Sequence, residues 1–165
     1  MQKTQKITPC LWFDTQAEEA AKFYTSVFDN SRIVNTVRYG EAGYEIHKRP
    51  PGMVMTVEFE LSGQTFTALN GGPMFKFNEA VSLQIMCDTQ REVDYYWEKL
   101  SQGGDKNAQQ CGWLKDRFGL SWQVVPTVLP KMLADPDPET SERVMTAVLK
   151  MKKLDIDALK RAYAG

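Results

Sequence analysis

GWLKDRFGLSWQVVP, residues 112–126, decides how this chain folds. It reads as two short strands joined at Asp116-Arg117-Phe118-Gly119, with glycine closing the four-residue turn. The second strand carries Gln123 near its middle. A carboxylate at such a place would suggest a metal ligand. An amide both donates and accepts hydrogen bonds and carries no charge, so it points to other chemistry.

The bulk composition sets the frame. The chain has 165 residues, 42% hydrophobic and 25% charged, with a formal net charge of −1. That length suits one compact domain or two small fused modules, and the composition is that of a globular protein rather than a disordered one. Lys and Arg are scattered, which gives no basic footprint for nucleic acid. No apolar run approaches membrane-spanning length, so no membrane partner is expected. MQKTQKITPC lacks the apolar centre of a signal peptide. Cys10, Cys87 and Cys111 form an odd set without a CxxC pair, which reads as reduced thiols in a cytoplasmic protein.

Working outward from the opening stretch, the next signal is an internal repeat. Asp14-Thr15-Gln16-Ala17-Glu18 recurs as Asp88-Thr89-Gln90-Arg91-Glu92, 74 residues later. Each copy follows a strand-like run, ITPCLWF or VSLQIMC. Each opens a helix with capping-box spacing, Thr15 to Glu18 and Thr89 to Glu92. Ala17, Ala20, Ala21, Tyr24, Val27 and Phe28 make a one-sided apolar stripe on the first helix; Val93, Tyr96, Trp97 and Leu100 make one on the second.

Residues 31–39 and 64–70 read as strands, and 53–61 alternates with Met53, Met55, Val57, Phe59 and Leu61 on one face. The second module reads as a strand over 81–87, a helix over 89–101, a weak strand near 107–111, and the pair around 112–125. The expected fold class is therefore α+β: a single domain over 1–165 made of two tandem β-α-β-β-β modules, 6–72 and 80–126, with C-terminal helices over 127–165. Val144, Val148 and Met151, then Ile156, Leu159 and Tyr163 after an Asp155 cap, give those helices an apolar side for the outside of the sheet or a partner subunit.

Paired β-α-β-β-β modules resemble the vicinal-oxygen-chelate superfamily of glyoxalases, extradiol dioxygenases and bleomycin- and fosfomycin-resistance proteins. TPCLWFDTQAEEAAKFYTSVF, GWLKDRFGLSWQVVP and KMKKLDIDALKRAYAG are more specifically similar to its PhnB-like group, whose members often carry the label 3-demethylubiquinone-9 3-methyltransferase. The resemblance implies a cupped mixed sheet, the glyoxalase/bleomycin-resistance fold, completed in related binding proteins by a second subunit. A homodimer is expected on that ground. Methyl transfer finds no direct support in the sequence, because no glycine-rich turn follows a strand and opens a helix.

In metal-dependent members of the superfamily, His and Glu ligands come from the first and last strand of each module. The repeat places Thr8 opposite Ser82, Cys10 opposite Gln84 and Trp12 opposite Met86. The alternate residues Ile7, Pro9 and Leu11, with Val81, Leu83 and Ile85, are expected to face the helices. Aligning Gly63 with Gly119 sets Thr67 opposite Gln123. The cavity arms are then Thr8 or Cys10, Thr67, Ser82 or Gln84, and Gln123, none of them His, Asp or Glu. No metal and no cofactor are expected.

Each residue has a plainer reading beside the functional one. Gln84 and Gln123 can bond each other across the sheet, and Cys10 can be an inert thiol rather than a nucleophile. Trp12, Trp113 and Phe75 can be core instead of an aromatic wall, while Trp97 and Trp122 read as packing. Glu58 and Glu60 share a polar strand face. His47, the only histidine, is a surface loop residue or part of a lid. The preferred expectation is a small-molecule-binding protein whose cup is lined by Cys10, Trp12, Thr67, Gln84, Trp113 and Gln123. The alternatives are a metal-independent or ligand-recruited-metal enzyme (lyase, isomerase or the labelled methyltransferase) and a dimeric scaffold with a vestigial cavity.

Overall fold

The computed structural model describes residues 5–165, so the first four residues of the N-terminal reading lie outside the described residues. The chain divides into two compact units, one ending at Lys76 and one starting at Phe77.

The first unit contains β1 (Cys10–Phe13), α1 (Ala17–Val27), β2 (Arg32–Arg38), a single helical turn α2 (Tyr44–His47), β3 (Val54–Leu61) and β4 (Gln64–Asn70). Its sheet runs β1-β4-β3-β2, with β1 parallel to β4 and the other pairs antiparallel. Period-2 alternation buries Leu11, Phe13, Val57, Phe59, Leu61, Phe66 and Ala68 on one face. The stripe of α1 packs there: Ala17, Ala20, Ala21, Tyr24 and Val27 are buried, and the Tyr24 ring stacks 6.3 Å from Phe59.

Two local expectations are corrected. Val54 is buried and Met55 only half so, because the β2–β3 register shifts between Val37 and Arg38; this bulge slips the alternation at the start of β3. Thr15 and Glu18 form no capping box. The N-cap is Gln16 without a side-chain bond, and Glu18 pairs instead with Lys22 at 2.9 Å. The first amide of α1 is satisfied from the sheet: buried Asn70 accepts from Ala17 N at 2.8 Å and donates to Val54 O at 3.0 Å.

The second unit contains β5 (Ser82–Cys87), α3 (Gln90–Ser101), β6 (Trp113–Lys115), β7 (Ser121–Pro126), α4 (Val128–Leu133), α5 (Pro138–Leu149) and α6 (Ile156–Ala164). Its sheet runs β5-β7-β6, with β5 parallel to β7, the order of β1-β4-β3 in the first unit. Here the capping box forms in full, Thr89 and Glu92 each taking the other's backbone N–H, an arrangement worth about 1 kcal/mol.

The strand expected near 107–111 is absent. Lys106–Ala108 is a 3₁₀ turn capped by Asp105, followed by an isolated bridge between Gln110 and Trp113. The C-terminal extension takes the bonds that a fourth strand would have made: Cys111 N donates to Met151 O at 2.9 Å and Gly112 N to Lys152 O at 2.7 Å. The terminal helices build a core from Leu129, Met132, Val144, Val148, Leu154 and Leu159, with Cys111 and Val125 packed against it. Gln90 ties this extension to α3, accepting from Ile156 N at 2.8 Å and donating to Leu154 O at 3.2 Å.

Ile7 and Val81 do not face the helices. Both precede the strands and are exposed, at 87% and 70%.

Candidate functional site

In each unit the helix covers one sheet face and leaves the other available, so the two open faces are described in turn. On the first, the register carries a row across four strands: Cys10 opposite Thr67, Thr67 opposite Glu58, and Glu58 opposite Asn35. Cys10 and Glu58 are exposed and Thr67 is half-buried. Packing desolvates the Cys10 sulfur and pushes its thiol above the ordinary cysteine range, so it is a poorer nucleophile than a free thiol.

Trp12, half-buried in the adjacent row opposite Leu69, donates its indole N–H to Gly72 O at 2.8 Å. Phe75 meets its ring edge-on at 4.9 Å. The structure thus joins Trp12 with Phe75, and Cys10 with Thr67. Thr8 is exposed and lies before β1.

On the second open face, Gln84 stands opposite Gln123, and Gln123 opposite Trp113. These are the places that the internal repeat assigns, matching Cys10 and Thr67 strand for strand. Gln84 Nε2 donates to Gln123 Oε1 over a long 3.4 Å, while Gln123 Nε2 donates to Ser82 Oγ at 2.8 Å. Because Ser82 Oγ accepts, its own proton is left for another partner, and the Gln84–Gln123 bond engages only the Nε2 of Gln84. The row therefore offers several uncharged donors and acceptors beside an indole, the second N–H of each glutamine among them. Ser121, opposite Ser82 on β7, is buried with its hydroxyl unpaired, an unmet polar demand in the floor of this face.

Sequence reasoning placed Gln84 and Ser82 as alternatives, whereas the structure uses both. It missed Ser121, because a serine in a strand carries no signal of burial. It also missed Asp116, whose carboxylate is 2% exposed and accepts from Phe118 N, Leu120 N and Trp122 Nε1 at 2.8, 3.1 and 2.8 Å. That aspartate and Gly119, at φ +85°, are what give the DRFG turn its shape. Asp at the first place of a glycine-closed turn was the available signal. Cys87 is fully buried, and burial, then the Glu92 and Asp88 carboxylates, push its thiol to about 12. His47 lies on α2, and Cys111 packs against the C-terminal core.

A divalent metal does not fit these donors. Among the described residues no three of His, Cys, Asp and Glu come together as an ion would need. Along its Gln84–Gln123 row the second face offers amides and a hydroxyl, and the one charged side chain in register beside them, Lys115 opposite Ser121, is a cation already paired with Glu79.

Residues 5–125 match the family model described as 3-demethylubiquinone-9 3-methyltransferase. The chain belongs to this family. It is 39% identical to a Bacillus cereus PhnB protein described with the same methyltransferase name, covering 74% of this chain and 99% of that one at a TM-score of 0.62. A Pseudomonas aeruginosa protein shares the fold at 18% identity and a TM-score of 0.57, over 74% of this chain and 98% of that one. A glyoxylase/bleomycin resistance protein/dioxygenase domain from Frankia also matches, at 13% identity and a TM-score of 0.48, over 75% of this chain and 93% of that one. The chain is thus a PhnB-like member of that family. No curated protein matches it. No helix of the described residues is long and apolar enough to cross a membrane.

Proposed function

We propose that this chain binds a small, neutral, partly apolar molecule without a resident metal, as a cytoplasmic homodimer. The observation that carries the reading is the Gln84–Gln123 row with Ser82 bonded to it from the row below, an uncharged donor and acceptor set beside Trp113. Such a row suits a ligand with a carbonyl or hydroxyl head and an apolar body, whereas a carboxylate or ammonium would find no counter-charge among those side chains. Ile33, Val34 and Val37, exposed on edge strand β2, are the apolar surface that favours a second copy.

Native mass spectrometry of protein taken from cells, with elemental analysis, tests this. The expected result is a dimer carrying an organic adduct and substoichiometric metal. Gln123→Leu removes the bonds on both sides of the row and is expected to weaken retention of that adduct by roughly tenfold to a hundredfold. Stability should change by less than about 1 kcal/mol, since the side chain is half-buried. Stoichiometric zinc, iron, manganese or nickel, or full retention by Gln123→Leu, defeats the reading.

One observation favours a second reading. Glu58 stands on the first open face, a row-mate of Thr67 and Cys10, where a carboxylate can act as a general base. An enzyme predicts that Glu58→Gln abolishes turnover of the adduct while leaving its binding intact; a binding protein predicts no turnover to lose. Methyl transfer, the activity in the family's description, is disfavoured. The turns joining β1 to α1 and β5 to α3, Asp14-Thr15-Gln16 and Asp88-Thr89, lack the glycines of a Rossmann-type cofactor turn.

A further inference from the structure

The segment between β2 and β3 is closed by its histidine. His47 Nδ1 lies 2.9 Å from Arg49 N, and Nε2 lies 3.2 Å from Ala42 O. A nitrogen that receives a backbone N–H must be bare, and one that faces a carbonyl must carry hydrogen. The geometry assigns the neutral Nε2–H tautomer. The ring rests 4.6 Å from Tyr39, with Tyr44 edge-on at 6.4 Å, and the backbone is left-handed on either side at Gly43 and Lys48.

What the histidine holds continues into Arg49. That guanidinium lies so close to Gly72 that a Cβ there would meet Nη2 at 1.9 Å. Its Nε is buried without a partner, and Nη2 is a distant 3.8 Å from Asp14. Gly72 is also the residue whose carbonyl takes the Trp12 indole. One imidazole therefore sets the backbone that seats a guanidinium on the chain leaving β4.

We propose that residues 43–52 form a proton-operated latch, closed by neutral His47 and opened when Nδ1 takes a proton. Protonation turns Nδ1 from acceptor to donor. It then faces the Arg49 N–H donor-to-donor across 2.9 Å, and the two must part. The titratable and charged groups about the ring are Tyr39 just after β2, Glu41 beside the Ala42 carbonyl, Tyr44, Glu45, Lys48 and Arg49 on its own segment, and Asp14 beyond Arg49. Lys48 sits over the Tyr44 ring at 5.9 Å, and that ring stands edge-on to the imidazole, so the cation and the new imidazolium share one aromatic neighbour. The latch rests on atoms other than those of the proposed ligand row.

Amide exchange measured by NMR on the whole chain tests it. Between roughly pH 8 and pH 5, the Arg49 amide is expected to lose at least about tenfold in protection factor, while the β3 core amides of Val57 and Phe59 keep theirs. In His47→Asn that pH dependence should vanish, whether the asparagine holds the loop closed or leaves it open at both values. Nitrogen shifts of the wild-type ring supply a second readout, with an Nε2–H pattern expected at the higher pH. Equal Arg49 protection at both pH values, persistence of the loss in His47→Asn, or an Nδ1–H pattern would each overturn the latch.

Discussion

Asp116→Ala is expected to destabilise the second unit by about 3–5 kcal/mol, the largest loss from any single side chain considered in that unit. The carboxylate serves two backbone amides and an indole N–H at once. Leu120 and Trp122 are 3% and 2% exposed, so water cannot replace the lost acceptor without opening the core. Each buried donor left unmet costs about 1–3 kcal/mol, and bonds to a charged acceptor lie at the upper end of the usual range. Asp116→Asn should fall between, because an amide oxygen can still receive Phe118 N and Leu120 N, both of which go to Oδ1, while its NH₂ would confront the Trp122 indole. Chemical denaturation followed by tryptophan fluorescence measures both. A loss of less than about 1 kcal/mol in Asp116→Ala would show that the turn is held by something else.

The same residue shows what the sequence can and cannot disclose. Its LKDRFGLSWQ stretch announces a tight strand pair, since Asp and Gly at the ends of a four-residue turn have one common use. It does not announce that the aspartate reaches the indole of Trp122, because side-chain reach across a turn leaves no period in the sequence. Alternation and helical stripes made the two sheets legible, and the repeated Asp-Thr-Gln made their strands superimposable. Register followed from the turn glycines, which is why Cys10–Thr67 and Gln84–Gln123 stand where the repeat sets them. The missing fourth strand of the second sheet was not legible. Residues 107–111 lose their ladder to Met151 and Lys152, forty residues on, and local propensity holds no information about such a competitor. Likewise Thr15 has capping chemistry but yields to Asn70, which arrives from a strand more than fifty residues away.

These failures bear on the question raised by Gln123. At a metal site the last-strand position needs a charged oxygen held ready by its neighbours. Here its neighbours are Ser82, Gln84 and Trp113, and a buried hydroxyl on Ser121 lies one row below. A carboxylate there would stand among amides and hydroxyls, with Lys115 and its partner Glu79 the charged groups at hand and no cluster of three ligands among the described residues. The polarity of this row is more informative than its position in the fold, because a neutral head needs both donors and acceptors, whereas a zinc- or iron-like ion needs imidazole, thiolate or carboxylate donors that the row lacks.

Gly71→Ala should be the most damaging small substitution in the first unit and should act through Trp12. A Cβ at Gly71 would lie 2.3, 2.4 and 2.5 Å from Cζ2, Cη2 and Cε2 of that indole. The ring is rigid, fixed by its bond to Gly72 O at 2.8 Å and by Phe75 against its edge, so it cannot yield by a rotation of its tip. Overpacking of this kind costs about 1–3 kcal/mol, and the lost hydrogen bond adds roughly another 1 kcal/mol, for a total of about 2–4 kcal/mol. If the loss is steric, shrinking the ring must relieve it. In the cycle formed with Trp12→Ala, the double variant should be more stable than the sum of the singles allows, by at least about 1 kcal/mol. Additive losses would place the damage in the Gly71 backbone rather than in the ring. Because Trp12 shares the open face with Cys10 and Thr67, a steric result would also make Gly71→Ala a means of moving one proposed ligand-binding side chain while leaving every other residue of that face unsubstituted.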